Sequence, residues 1–236
     1  MTKKLKEPSR LRKLLKRLVL CVLVILALPY ALTLVYKVVP PPITTLQIVR
    51  NFEGYGLDKK WVPLDEMSRW LPIAVLASED ARFCSHHGVD WDAVQQVVDS
   101  ATDGKGKRLR GASTIQMQLA KNLFLWPGRS YIRKGLELPL ALWIDLVLSK
   151  RRIIEIYLNV VEWGPGLYGA EAAARKHFKR SAKKLTRRQS SLLAASLPDP
   201  LTRTAGKPGP LTRKLASRIE TRAKQMGAYI KCLGPL

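Results

Sequence analysis

Residues 111–137 read GASTIQMQLAKNLFLWPGRSYIRKGLE, and the rest of the chain is organised around this stretch. Gly111, Ala112, Ser113 and Thr114 read as a tight turn and a helix N-cap, and Ile115–Phe124 then has helical character. Gln118, Lys121 and Asn122 are three to four positions apart, which puts them on one helical face. Trp126, Pro127 and Gly128 end that helix. Arg129, Arg133 and Lys134 follow, and a second apolar helix over 135–148 carries Glu137 one turn after Arg133. Pro139 should kink or weaken it. Amides and cations converging on a carboxylate suit a phosphorylated or sugar ligand. Taken singly, each of these residues also suits a polar helix face and a solvated basic turn.

The chain has 236 residues, enough for one domain plus an appendage, and a net charge of +23. Residues 1–17 hold Lys3, Lys4, Lys6, Arg10, Arg12, Lys13, Lys16 and Arg17 against Glu7 alone. Such an excess implies a polyanionic partner. The uncharged run LVLCVLVILALPYALTLVY over 18–36 follows directly, about the length that spans a bilayer. Basic residues crowd its N-terminal side, so the N-terminus is expected in the cytoplasm and the bulk of the chain across the membrane. No A-x-A-like cleavage site follows, so the span reads as an uncleaved anchor rather than a signal peptide. A nucleic-acid partner is not expected, because the charge clusters at the membrane end and the proposed site rather than in an aromatic-laced patch. The organisation expected is a basic cytoplasmic tail at 1–17, an anchor at 18–37, a proline-stiffened linker at 38–62 and a domain at 63–236.

Most of that domain reads as helix. A helix start at 64–68 leads into an apolar helical run over 71–83, ended by Glu79 and Asp80. A further amphipathic helix covers 91–98, and residues 99–110 read as a mobile basic loop. Residues 150–152 suit a helix end or the start of the next helix. Residues 159–169, rich in glycine, read as turn, 170–178 as an alanine-rich helix, 185–197 as another and 213–229 as a basic closing helix. A small hairpin is expected only near 43–63. Cys84 and Cys232 could pair in an oxidising compartment, but sequence cannot place them within bonding distance. No Cys/His spacing resembles a zinc site.

Two carboxylates anchor the chemistry. Glu79 ends an apolar helix close to Phe83, where desolvation would raise its pKa into the range of a general base or acid. Glu137 is flanked by Leu136 and Leu138, so it should be partly buried with a cationic partner, Arg133. Paired carboxylates suggest glycosyl chemistry. Lys121, Arg129, Arg133 and Lys134 add charge that a simple glycosidase does not need but a diphosphate leaving group does.

Five segments together resemble the signatures of peptidoglycan glycosyltransferases. EDARFCSHHG at 79–88 is similar to E-D-x-x-F-x-x-H-x-G, and GASTIQMQLAKN at 111–122 to G-x-S-T-x-x-Q-Q-x-x-K-N. RKGLE at 133–137 is similar to R-K-x-x-E, and KRRIIEIYLN and GLYGAEAA resemble the next two signatures in order. The length leaves no room for a transpeptidase domain, as in the monofunctional enzymes. The resemblance implies a mainly α fold, a lysozyme-like helical lobe with a smaller membrane-facing jaw, preceded by one transmembrane helix. It implies that lipid II is polymerised into β-1,4 glycan strands with inversion at the anomeric carbon and release of undecaprenyl diphosphate. It casts Glu79 as the base and Glu137 as the second catalytic carboxylate, orienting the cations. Lys121, Arg129 and Arg133 would hold the diphosphate. Ser113, Thr114, Gln118 and Asn122 would contact sugar and phosphate, with Asp80, Phe83 and His86 supporting the base and the substrate. No cofactor is required, though a divalent cation (Mg or Mn) at the diphosphate, bound through Glu137, fits the pattern. The partners implied are lipid II, the growing strand, the bacterial inner membrane and other cell-wall synthesis or division proteins, with the catalytic domain periplasmic. The rival readings are a glycan-cleaving lytic enzyme, which would not need the cations, and a non-catalytic scaffold. Met117 stands where the family pattern has the first Gln of its pair, which puts one hydrogen bond there in question.

Overall fold

The computed structural model describes residues 10–102, 112–128 and 130–236. The first nine residues, residues 103–110 of the expected loop, Gly111 and Arg129 lie outside the described residues. Helix α1 (Arg10–Tyr36) is long and apolar enough to cross a membrane, with a mean hydropathy of 2.8 in its most apolar window. Its 27 residues make a rod about 40 Å long. Its C-terminal end is docked on the domain. Trp143 Nε1 donates to Tyr30 O at 3.1 Å, and Arg152 Nε donates to Tyr36 O at 2.9 Å.

Eight further helices follow among the described residues whose packing sets the domain: α2 (Thr45–Phe52), α3 (Trp70–Glu79), α4 (Trp91–Thr102), α5 (Ile115–Phe124), α6 (Tyr131–Val147), α7 (Lys150–Val160), α8 (Ala170–Phe178) and α9 (Arg187–Ser196). Helix α10 (Pro210–Gln225) closes the chain and runs into a tighter helical turn, Met226–Leu233. Helix α3 is the centre. Every residue from Leu71 to Ala77 is buried, and α9 and α10 pack against it. A helix that is apolar all round belongs in the interior. Pro72 is tolerated because it sits in the first turn, where its missing N–H would have no partner. Helix α5 lies across α6 and α7, and the largest wholly buried side chains are Trp163, Tyr157, Tyr168 and Phe83.

Several expectations are corrected here. The run expected over 71–83 stops at Glu79, because Asp80 leaves the helical region (φ −159°, ψ 73°). Helix α4 continues through Thr102, into residues read as loop. The segment 38–62 is not a simple linker. Thr44 and Gln47 form a reciprocal capping box that starts α2, and α2 packs on α5. The hairpin lies elsewhere than 43–63. Strands β2 (Glu162–Gly164) and β3 (Leu167–Tyr168) pair antiparallel across Pro165 and Gly166, and β1 (Asp58–Lys59) adds to β3 in parallel. Gly166 (φ +66°) permits this, since a Cβ there would stand 2.0 Å from Tyr55 O. Residues 150–152 start α7 behind the Ser149 cap. Cys84 and Cys232 are joined in a disulfide, Cα to Cα 5.6 Å, which ties the chain end to the segment just after Glu79.

Helix α6 exposes Tyr131, Ile132, Leu142 and Leu146. A set of exposed apolar groups of this kind suits an interaction surface.

Gly88 closes the first motif for a steric reason. It adopts φ +81°, and a Cβ would lie 2.6 Å from Ala141 O of α6. Gly88→Ala is therefore expected to cost on the order of 2–4 kcal/mol, from left-handed strain plus displacement of α6. Chemical denaturation of purified protein measures this, and a loss below about 1 kcal/mol would show that the contact can relax.

Candidate active site

Glu79 is the last residue of α3, half-buried, with its carboxylate turned towards α5. Ser78 Oγ donates to Oε1 at 3.1 Å and Gln118 Nε2 donates to Oε2 at 3.2 Å. Burial raises its pKa, and the hydrogen bonds from Gln118 and Ser78 and the charge of Lys121 only partly oppose that. The carboxylate is thus held as a stronger base than a solvated Glu.

Its neighbour Asp80 is buried and structural. Its carboxylate accepts from the Ile115 N–H at 3.0 Å and lies 3.0 Å from His86 Nε2. It joins the end of α3 to the start of α5, where a negative charge also suits the helix dipole. Phe83 and His86 lie inside the fold. Lys150 braces both, with Nζ 4.8 Å above the Phe83 ring, 2.6 Å from His86 O and 2.7 Å from Asp145 Oδ1.

Helix α5 delivers the other groups. Thr114 caps it, accepting from Met117 N at 3.2 Å and donating to Gly88 O at 2.6 Å, so its hydroxyl is engaged within the fold. Met117 packs inward with Val89 and Ala141, away from the cleft. Gln116 is fully buried and donates to Asp145 Oδ1 at 2.8 Å. Gln118 faces the cleft and touches Glu79, while Ser113 and Gln118 line its wall. Lys121 and Asn122 lie one turn further along.

Helix α6 supplies the cationic side. Arg133 Nη1 pairs with Glu137 Oε1, and Lys134 Nζ lies 2.8 Å from Glu137 Oε2 and 3.0 Å from Ser113 Oγ. Glu137 is 2% exposed and holds both cations at once. One carboxylate shared between two cations leaves a positive excess facing the cleft. Burial lowers the pKa of Lys121, with Arg133 as the next cause. Burial, then Arg133 and Lys121, pull Lys134 down to about 8 despite its contact with Glu137. These groups repel one another, and a polyanion would relieve that repulsion.

Both Glu137 oxygens are taken by Arg133 and Lys134, and among the described residues no group of three His, Cys, Asp or Glu could hold a metal.

Two cavities meet at Gln118. A narrow one, about 210 Å³, is lined by Lys121, Asn122, Arg133, Arg50 and Glu162. A wider one, about 780 Å³, is lined by Glu79, Ser113, Arg203, Arg218 and Arg222. The structure therefore brings together Glu79, Ser113, Gln118, Lys121, Asn122 and Arg133. It buries Asp80, Phe83, His86, Thr114 and Glu137 behind them as supports.

Sequence reasoning missed Arg50, Glu162 and Tyr157. Arg50 was read as linker, yet its Nε lies 3.3 Å from Glu162 Oε2 at the narrow cavity. Tyr157 is fully buried and donates to Gln118 Oε1 at 2.8 Å. That bond fixes the amide so that its NH₂ faces Glu79. A buried Tyr hydroxyl seeks a partner, which is the only signal the sequence offered.

A model of the Transglycosylase family matches residues 46–227. The chain is similar to the biosynthetic peptidoglycan transglycosylase of Rhizobium johnstonii, 55% identical over 224 residues, 94% of this chain and 90% of that protein. It is similar to the protein of the same description from Agrobacterium fabrum, 53% identical over 223 residues, 94% of this chain and 98% of that one. The corresponding protein of Rhodopseudomonas palustris is 52% identical over 215 residues, 91% of this chain and 94% of that one.

Tyr157→Phe removes the hydroxyl that orients Gln118 and should free the amide to turn away from Glu79. The Gln118 bond lowers the Glu79 pKa, so its loss raises that pKa further. The acid limb of kcat/KM should move to higher pH, with a rate loss of about tenfold at neutral pH. A pH–rate profile with an unmoved acid limb would show that Gln118 holds its orientation without Tyr157.

Proposed function

We propose a reaction course for this chain, which belongs to the Transglycosylase family and is a peptidoglycan glycosyltransferase that polymerises glycan strands. Its fold is mainly α with the lysozyme-like domain of that family. The single observation that carries the proposal is Glu79. It is a desolvated carboxylate hydrogen-bonded to Gln118, and Gln118 also borders the cavity that holds Lys121 and Arg133.

Glu79 takes the proton of the acceptor sugar's 4-hydroxyl. The freed oxygen attacks the anomeric carbon of the lipid-linked donor from the face opposite its diphosphate. The new C–O bond forms as the bond to the diphosphate breaks, so the configuration inverts and the β-1,4 link results. The electron pair leaves with the lipid diphosphate, lipid II being the substrate. Lys121 and Arg133 stabilise that leaving charge, with Arg129 a further candidate outside the described residues. They are preorganised for it, since Glu137 holds Arg133 and Lys134 in place before substrate arrives. Glu137 acts here as a positioning residue. No step needs a metal bound at Glu137.

The domain is placed outside the inner membrane by this reading. Basic residues at the start of α1 favour an N-terminus in the cytoplasm. The Cys84–Cys232 disulfide supports maturation in an oxidising compartment. The exposed apolar edge of α6 beside α1 would let the cleft reach a lipid-held substrate.

The test is turnover of purified lipid-linked disaccharide-peptide. Wild type should yield polymer digestible by a muramidase together with free lipid diphosphate, and should leave finished strands intact. Shortening of finished strands without use of the lipid substrate would overturn the proposal.

Glu79→Gln should lower the rate by about 100-fold or more, since an amide cannot take the proton. Because folding raises the Glu79 pKa, its stabilising contribution is present below the unfolded pKa and lost as pH rises through the folded value. At neutral pH the amide should therefore leave the melting temperature unchanged or higher. For the wild type, kcat/KM should fall on acidification at a pH above the ordinary carboxylate range. A well-folded Glu79→Gln protein with wild-type turnover would overturn the role.

Lys121→Ala and Arg133→Ala should each cost about 2–4 kcal/mol in the transition state. Lys214→Ala, exposed on α10, should stay within about 0.5 kcal/mol. Steady-state kcat/KM measures all three, and equal losses would mean that the cations act only as a diffuse field.

A further inference from the structure

Diphosphate chemistry engages only one of the two cavities. The wider one has Glu79, Ser113 and Gln118 on one wall and Arg203, Arg218 and Arg222 on another. Arg218 and Arg222 are one turn apart on α10, so they share a face, and Leu215 and Ile219 of the same helix line the cavity beside them. The one acidic residue of α10, Glu220, lies near Arg187 and Arg188 of α9, each at 3.5 Å, and none of the three cavity arginines pairs with a carboxylate among the described residues. Asp199 at the rim accepts from Thr202 Oγ1 at 2.5 Å and is, among the described residues, the only carboxylate besides Glu79 on this cavity. Arg203 spends one donor on Ala195 O at 3.3 Å. Guanidinium groups without carboxylate partners around one cavity favour an anionic ligand.

We propose that Arg203, Arg218 and Arg222 form a subsite for the peptide-stem carboxylates of the glycan substrate. The inference rests on the proposed function and deepens it. The diphosphate is taken by Lys121 and Arg133 on the other side of Gln118, and the sugars are neutral. The remaining anions on a peptidoglycan precursor are the carboxylates of its stem. With sugar held at Glu79, a stem would extend towards α10. A volume of about 780 Å³ admits more than a sugar ring. Because Arg218 and Arg222 are exposed, their effect should weaken as salt rises.

The experiment compares three lipid-linked disaccharides: free stem carboxylates, amidated stems and no peptide. Wild type should favour the free-carboxylate substrate over the amidated one by about tenfold in kcat/KM at low salt, mainly through KM. Arg218→Ala/Arg222→Ala should lose most of that preference, and Arg218→Lys/Arg222→Lys should keep part of it. No preference in wild type, or an equal preference in the alanine variant, would overturn the subsite while leaving the polymerisation reading intact. An equal loss by the alanine variant on the peptide-free substrate would assign these arginines to lipid phosphate and also overturn it. Wild type that polymerises none of the three would instead overturn the proposed function, and the subsite with it.

Discussion

The Asp80 carboxylate joins the two halves of the site. It ends α3, accepts the first free N–H of α5 at Ile115 and meets the His86 ring. Through it, the residue before it on α3 and the residue three further along α5 are brought within hydrogen-bonding distance, Glu79 to Gln118 at 3.2 Å. A buried carboxylate without partners would be costly, so these bonds also dictate where the two helices meet. Lys150 then braces the turn from the far side through Phe83, His86 and Asp145.

The same desolvation acts in opposite senses on the two kinds of charge. It raises the carboxylate of Glu79 and lowers the ammonium groups of Lys121 and Lys134. One cause, burial between α3, α5 and α6, therefore disfavours the charged form of both kinds of group. Glu137 keeps the cations from separating, since each of its oxygens engages one of them. The cleft thus holds fixed dipoles and charges before any substrate enters, which is how an enzyme lowers the reorganisation needed in a transition state.

Much of this protein was legible along the chain. Residues 115–124 and 170–178 formed the helices their patterns indicated, the apolar run after the basic tail is a helix of membrane-spanning length, and the motifs that carry Glu79, Lys121, Arg133 and Glu137 resembled one family in order. Helical periodicity, caps and hydrophobic length are local properties, so local sequence suffices to read them. The Arg133–Glu137 pair was readable for the same reason, being one turn apart on one helix.

Contacts between distant segments were decided by tertiary structure. Tyr157 reaches Gln118 across 39 positions, and Cys84 reaches Cys232 across 148. Arg50, in a stretch read as linker, arrives at the site because α2 packs on α5. The hairpin at 162–168 is held by its pairing with a strand about 110 positions earlier, in β1. None of these has a short-range period to betray it, because each depends on where packed helices place side chains in space. The sequence determined which residues could do the chemistry and that an apolar helix of membrane-spanning length follows the basic tail. The tertiary structure decided which carboxylate faces the cleft, which one clamps the cations, and that a second set of arginines shares the cavity with Glu79.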